Sequence, residues 1–157
     1  MEEARKGNIT PEMEEIARRE NVDIQMLIRC VADGRIVIPS NVNRKSSPCG
    51  IGENLSTKIN ANVGSSSRME DIEQEVEKAM AAVEYGADAV MDLSTGPLLA
   101  EVRKEILRAV DVPVGTVPIY EAGVGSFAST GSVVDMDEDD MFRAIENQAR
   151  EGVDFMT

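Results

Sequence analysis

The sequence predicts an α/β fold: parallel strand–helix repeats forming the first half of a (β/α)8 barrel, behind a small helical subdomain. Three observations carry this reading. From Thr57 onward, short apolar runs alternate with amphipathic helical stretches, which implies a parallel sheet with right-handed crossovers. A Gly-x-Asp-apolar pattern occurs twice, in Gly86-Ala87-Asp88-Ala89-Val90-Met91 and Gly152-Val153-Asp154-Phe155-Met156-Thr157, each time after an amphipathic helix. An open doubly wound sheet fits the same alternation, but Asn62-Val63-Gly64-Ser65-Ser66 has a single glycine where a dinucleotide fingerprint needs several, so the barrel is favoured.

The elements follow in order. Thr10-Pro11-Glu12 opens a helix with a cap, a proline at the first helical position and acidic residues at the positive end of the dipole. It ends near Asn21. Asp23 caps a second helix, with Ile24, Leu27, Ile28 and Val31 on one face and Gly34 past its end. Arg35 to Pro39 is a short extended piece. Ser40 to Asn54 is rich in turn formers and reads as loop. These residues, 1–54, make a helical leader. Residues 55–157 are expected to hold four strands and three helices of the barrel.

In that second part, Thr57–Gly64 is a strand and its exit. Ser67 and Glu70 match a capping box, for a helix with Ile72, Val76, Ala79, Met80 and Val83 inward and Gly86 at its end. Asp88–Leu93 is a strand. Pro97 opens a helix facing inward with Leu98, Val102, Ile106 and Leu107. Val114–Val117 is the next strand, with Pro118, Ile119 and Tyr120 turning out of its C-terminal end. Gly123–Val134 reads as a Gly/Ser loop. Asp135–Asp140 leads into a helix carrying Met141, Ile145 and Ala149, stopped by Gly152, and Val153–Thr157 begins another strand. That last run has no turn or cap, so the expectation is a truncated barrel.

Composition narrows the function. A chain of 157 residues with a formal charge of −13 offers no basic face for nucleic acid or an anionic membrane. No apolar run approaches the roughly 20 residues of a bilayer span, and Met1–Lys6 has no following apolar region of a secretory leader, so a cytoplasmic protein is expected. There are no histidines, which removes imidazole catalysis and histidine metal sites from this chain. The two cysteines, Cys30 and Cys49, do not form a disulfide framework.

Ligands in strand–helix repeats sit at the C-terminal ends of the strands. There the sequence places Asn60, Asn62 and Ser65–Ser67, then Met91, Asp92, Ser94 and Thr95, then Thr116, Tyr120 and Glu121. Asn62, Met91 and Tyr120 are each one strand–helix unit apart and are expected at equivalent positions around one ligand. Each has a structural alternative: Asn62 as a turn cap, Met91 as core, Tyr120 packed under the Gly123–Gly125 loop. Asp92 and Glu121 are candidates for a carboxylate pair whose separation the sequence leaves open. The acidic run Asp135–Asp140 lacks the Ca²⁺-loop pattern and reads as a solvated helix start. Lys58, on the first strand, is the candidate for a Schiff-base lysine in an aldolase-like alternative.

The runs Lys58–Gly64, Gly86–Gly96 and Pro113–Tyr120 closely resemble the phosphomethylpyrimidine synthase family of thiamine biosynthesis, as do Ala4–Gly7, Ile9–Met13 and Gly34-Arg35 through Ile38-Pro39. The resemblance covers essentially the whole chain but only the first third to half of a family member. It implies a (β/α)8 barrel and a radical S-adenosylmethionine lyase that rearranges 5-aminoimidazole ribotide into the hydroxymethylpyrimidine phosphate. In that chemistry a [4Fe–4S] cluster reduces S-adenosylmethionine, and the adenosyl radical takes hydrogen from the substrate. It further implies a zinc site, a homodimer, and substrate contacts at Asn62, Met91 and Tyr120. None of these three is a catalytic residue.

The departures are equally specific. Arg44 stands where the family usually has a histidine. The zinc histidines and the C-terminal Cys-x-x-Cys-x-x-x-x-Cys cluster motif have no counterpart in these residues, and Cys30 and Cys49 are not part of it. The chain alone is therefore expected to ligate neither cluster nor zinc and to lack synthase activity. The other function class is a free-standing half-barrel that binds a ligand or partner without catalysis.

Overall fold

The computed structural model describes residues 1–157. The chain forms two compact units, Met1–Pro39 with Ser47–Lys58, and Ser40–Ser46 with Ile59–Thr157.

The first unit holds α1 (Glu2–Arg5), α2 (Pro11–Glu20), α3 (Ile24–Ala32), β1 (Ile36–Val37) and β2 (Ile51–Gly52). α2 begins and ends as its residues dictate. The Thr10 side chain accepts from the Met13 N–H, Pro11 takes the first position, and Asn21 closes it in the left-handed region at φ 52°. Asp23 caps α3 by accepting from the Met26 N–H at 2.8 Å. The inward faces meet in a core of Met13, Ile16, Leu27, Ile28, Val31 and Ile36. Within the expected loop, Ile51–Gly52 pairs antiparallel with Ile36–Val37; a two-residue strand is too short to show a period. Lys58 precedes the first parallel strand rather than lying on it. Its ammonium pairs with Glu20 at 2.8 Å and donates to Ser56, which holds the Glu20 carboxyl below the usual carboxylate range, the Lys58 bond contributing most. A lysine so occupied is not the Schiff-base nucleophile.

The second unit holds β3 (Asn60–Val63), α4 (Ile72–Glu84), β4 (Ala89–Asp92), α5 (Leu99–Ala109), β5 (Val114–Thr116), α6 (Pro118–Thr130), a 3-10 turn (Val133–Asp135), α7 (Glu138–Glu151) and β6 (Phe155–Met156). The four strands form one open, wholly parallel sheet in the order β3-β4-β5-β6. Strand alternation turns Val63, Val90 and Val114 to the face where Ala79 of α4 and Val102, Ile106 and Leu107 of α5 pack. The opposite face carries Asn60, Asn62, Ala89, Met91, Gly115 and Phe155.

The repeated Gly-x-Asp has a common cause. Gly86 and Gly152 leave their helices at φ 97° and 106°, a conformation that favours glycine. Each following aspartate then ties its strand to the preceding one. Asp88 accepts from the Ile59 N–H at 2.7 Å and donates its own N–H to the Ile59 carbonyl at 2.9 Å. Asp154 does the same with Val114, at 2.9 Å in both directions.

Five local expectations need correction. Ser66 and Met69 exchange backbone hydrogen bonds, closing a tight turn; the cap of α4 is Asp71, which accepts from the Gln74 N–H at 3.1 Å, so Ser67 and Glu70 form no capping box. Met80 of α4 is exposed, and at α5 it is Leu99 rather than Leu98 that is buried, because the helix starts two residues later than Pro97. The Gly/Ser run is α6, closed by Gly131 at φ 82°. On α7 the inward residues are Ala144 and Gln148, whereas Ala149 is exposed. The third crossover thus carries two helices. The acidic run caps α7, with Asp137 and Asp140 in a reciprocal capping box.

Arg44 belongs to the second unit and serves its N-terminal strand ends. Its guanidinium donates to the carbonyls of Leu107, Val110 and Val112 and pairs with the fully buried Asp154 at 2.6 Å. Asp154 also accepts from Asn41 and Ser46.

Candidate functional site

The sheet register brings two of the three candidate residues together. Asn62 pairs with Met91, Met91 with Gly115, and Gly115 with Phe155, so these four form one row on the face away from the helices. Met91 is buried at 6 % exposure, while Asn62 is exposed. The row is crowded at its centre. A Cβ on Gly115 would lie 2.2 Å from the Phe155 ring and 2.8 Å from the Met91 sulfur, so glycine lets both side chains close over β5.

Tyr120 is not the β5 member of that row; Gly115 is. Even spacing in sequence did not translate into equivalent strand positions, because Pro118 starts α6 two residues beyond Thr116 and carries Tyr120 into the first helical turn. There its N–H donates to the Val117 carbonyl at 3.0 Å and the residue is 39 % exposed. It stands beyond the C-terminal end of β5. Phe155 was missed by sequence reasoning; its signal was the glycine facing it two strands' width from Asn62.

Beneath the rim, on the helix side, lies a buried polar layer. Asp92, the last residue of β4, accepts from the Ser94 N–H at 2.9 Å and the Ser94 hydroxyl at 2.6 Å. Burial pushes the Asp92 carboxyl up, against the Ser94 hydrogen bonds and the charge of Arg103, with Glu75 adding to the rise. The Ser94 hydroxyl in turn accepts from the Ser65 N–H at 3.1 Å. Glu75 accepts from the Gly64 N–H at 2.8 Å and pairs with Lys78 at 2.6 Å.

Asp92 and Glu121 do not share a proton-bridging contact; each carboxylate has its own partners. Glu121 pairs with Nη1 of Arg103 at 2.9 Å and accepts from Nε2 of Gln148 at 2.7 Å. The Gln148 carbonyl oxygen accepts from the Thr116 hydroxyl at 2.6 Å. Arg103, 2 % exposed, also reaches Glu151 through Nε at 2.6 Å, and its Nη2 has no protein partner. Arg103 and Gln148 were absent from the sequence-level candidates. The only trace of them was a charge and an amide at core-facing helical positions.

No group of three or more histidine, cysteine, aspartate or glutamate side chains is arranged to hold a metal ion. Cys30 and Cys49 are buried in the first unit, with the Cys30 sulfur 3.5 Å from the Met26 sulfur.

Comparison with known proteins sets this geometry in a family. A family model described as the radical SAM ThiC family matches residues 1–157. The chain is 84 % identical over its 157 residues to phosphomethylpyrimidine synthase 2 of Methanothermobacter thermautotrophicus. It is 57 % identical to phosphomethylpyrimidine synthase 1 of Methanosphaera stadtmanae and 55 % identical to the phosphomethylpyrimidine synthase of Methanocaldococcus jannaschii. In each case all of the chain is matched and 37 % of the relative's length is spanned. No helix is long and apolar enough to cross a membrane. With a family model matched from its first residue to its last, the chain belongs to the radical SAM ThiC family.

Proposed function

We propose that this chain forms the N-terminal, substrate-contacting part of a phosphomethylpyrimidine synthase. The complete protein would be a radical S-adenosylmethionine lyase converting 5-aminoimidazole ribotide to the hydroxymethylpyrimidine phosphate of thiamine biosynthesis, in the cytoplasm and as a homodimer. The observation that carries the reading is the match over all 157 residues, at 84 % identity, to a protein of that name. It also speaks against a free-standing half-barrel.

Residues 1–54 are then the helical leader and 55–157 the opening strands of a (β/α)8 barrel. Two features of the second unit support the barrel. Strand order equals chain order, and the apolar faces of α4 and α5 and the Gln148 side chain of α7 all meet the same side of the sheet, as in a singly wound fold. The repeat supplies the stagger. Met91 lies five residues after Gly86, and Phe155, in the same row two strands on, lies three after Gly152. One residue of slip per strand sums to the shear of about eight that closes an eight-stranded barrel.

In this reading the row facing away from the helices looks into the barrel. Asn62 offers an amide donor and acceptor to the heterocycle, Met91 packs its thioether against a ring face, and Tyr120 presents a hydroxyl from the rim. Their work is positioning. The cluster and S-adenosylmethionine supply the radical chemistry when bound. Cluster ligation takes three or four thiolates, and this chain has two cysteines, both buried. The residues present fit neither the cluster nor zinc, and those ligands would come from elsewhere in the complete protein.

The test is aminoimidazole ribotide binding to the complete synthase carrying Asn62→Ala or Tyr120→Phe. Each variant is expected to weaken binding roughly tenfold, the size of one lost hydrogen bond in a site. Wild-type affinity in both would remove these residues from the substrate site.

A further inference from the structure

The helix that carries Tyr120 is held in an unusual way. The apolar core of the second unit draws its side chains from the strands, α4, α5, the link that carries Val110 and Val112, and Val153; none comes from α6 or α7. α6 buries only Pro118, Ala122, Gly123 and Ser126. These side chains bury little apolar area, and area is what hydrophobic anchoring scales with. Two interior glycines, Gly123 and Gly125, weaken the helix further. Something other than hydrophobic burial must set where its first turn stands.

That first turn is tied through one side chain. Glu121 follows Tyr120 directly, and its Oε2 takes both Nη1 of Arg103 from α5, at 2.9 Å, and Nε2 of Gln148 from α7, at 2.7 Å. Gln148 is locked in turn by the Thr116 hydroxyl at the end of β5, at 2.6 Å. Arg103 is fixed from its other side by Glu151 of α7 at 2.6 Å. Arg103, Gln148 and Thr116 are each 3 % exposed or less. Bonds to a charged partner at such depth are strong and directional, whereas apolar contacts are non-directional. A strand end and two helices therefore converge on a single carboxylate next to the rim tyrosine.

We infer that Arg103, Glu121, Gln148 and Thr116 are positioning residues that fix the Tyr120 ring at the rim of the site. Their importance for substrate rests on the proposed role of Tyr120; their control of the ring does not. Loosening the clamp frees the first turn of α6 without dismantling the apolar core.

Optical spectroscopy can read this in the chain itself. The sequence has no tryptophan and two tyrosines, and Tyr85 is 88 % exposed. Tyr85→Phe thus leaves Tyr120 as the sole emitter. In that background, Glu121→Gln and the milder Thr116→Val are expected to lower the residual time-resolved emission anisotropy of Tyr120 by roughly a third or more, with the far-ultraviolet circular dichroism retained. Glu105→Gln, which removes an exposed pair with Arg108, is the control and should change nothing. In the complete synthase, Glu121→Gln is expected to raise the KM for aminoimidazole ribotide about tenfold. Added to Tyr120→Phe, it should cost nothing further, the non-additivity expected of residues acting through one another. Unchanged anisotropy in both clamp variants, or in Thr116→Val if Glu121→Gln does not fold, overturns the positioning role. So does an additive double variant when Tyr120→Phe alone raises the KM. Lowered anisotropy with an unaffected KM in Tyr120→Phe sustains the clamp and instead removes Tyr120 from the substrate.

Discussion

Asp92 shows how one side chain can set a pH dependence. Its carboxyl is raised above the ordinary value chiefly by burial. A raised carboxyl binds its proton in the folded state at pH values where the unfolded chain has released it. Its stabilising contribution is therefore complete below the ordinary aspartate value, near pH 4, and is lost as pH rises through the folded one. Asp92→Asn keeps an oxygen for the Ser94 donors and carries no charge to desolvate. Urea midpoints measured from pH 4 to 8 are expected to fall with pH in the wild type more steeply than in Asp92→Asn, with the variant the more stable at pH 7. Parallel curves would refute this. Gly64 makes the opposite point about side chains that cannot be added. It lies at φ 144°, and a Cβ there would meet the Leu93 and Ser94 backbone at 2.6 Å. Backbone atoms do not swing aside as a side-chain tip does. Gly64→Ala is expected to cost about 3 kcal/mol or more in denaturant titration. At this scale the aspartate–glycine repeat was legible because its cause is local: a left-handed exit and a carboxylate one strand over. The Asp92 environment was not, since Arg103 and Glu75, two of the groups that set it, come from other elements.

At the scale of elements, legibility follows what holds each element in place. α2 and α3 carry caps, amphipathic faces and terminators in their own residues, and they stand where the sequence puts them. α6 does not. Its glycines and serines favour turn and loop locally, and it is helical because tertiary partners override propensity: Gln148, Arg103 and the small-residue contact with α7 supply what its own side chains lack. The same cause hid the inward face of α7, where Gln148 occupies a position that a period-based reading reserves for an apolar residue. The start of α4 was misplaced for a simpler reason. Ser67-x-x-Glu70 and Asp71-x-x-Gln74 both match the capping pattern, and only the Ser66–Met69 turn excludes the first. Arg44 was visible in sequence only as a departure from the family pattern. Its bonds to three carbonyls and to Asp154 make it a clasp on the N-terminal ends of β5 and β6, at the opposite end of the strands from Tyr120. Arg44→Met leaves the Asp154 carboxylate buried without its cation, which is expected to cost about 3–5 kcal/mol. Calorimetry that found less than about 1 kcal/mol would show the clasp to be idle.

For the whole molecule, the parallel α/β architecture was legible because alternating strand and helix periods are a long-range signal built from many residues. The candidate rim was half legible. Asn62 and Met91 share a row because both lie on strands, whereas Tyr120 was displaced by a proline that begins a helix. The two-unit division follows no composition shift. Ser40–Ser46 joins the second unit through Arg44, Asn41 and Ser46, all of which bond Asp154, and that partner stands more than a hundred residues further along the chain.

This last contact gives the chain an order of assembly. Each strand of the sheet pairs only with its sequence neighbours, so the sheet grows at one edge as residues leave the ribosome, each addition closing only a short crossover. The contacts of Arg44, Asn41 and Ser46 with Asp154 span almost the whole unit and cannot form until β6 arrives. The Arg44 clasp is a latch that can fasten only at the end, and it is expected to form after the rate-limiting step rather than within it. Loss of the latch should leave the refolding rate nearly untouched and appear almost entirely as faster unfolding. Stopped-flow folding of Arg44→Met would show a shifted unfolding limb beside an unmoved refolding limb, and a slowed refolding limb would place the latch in the nucleus instead.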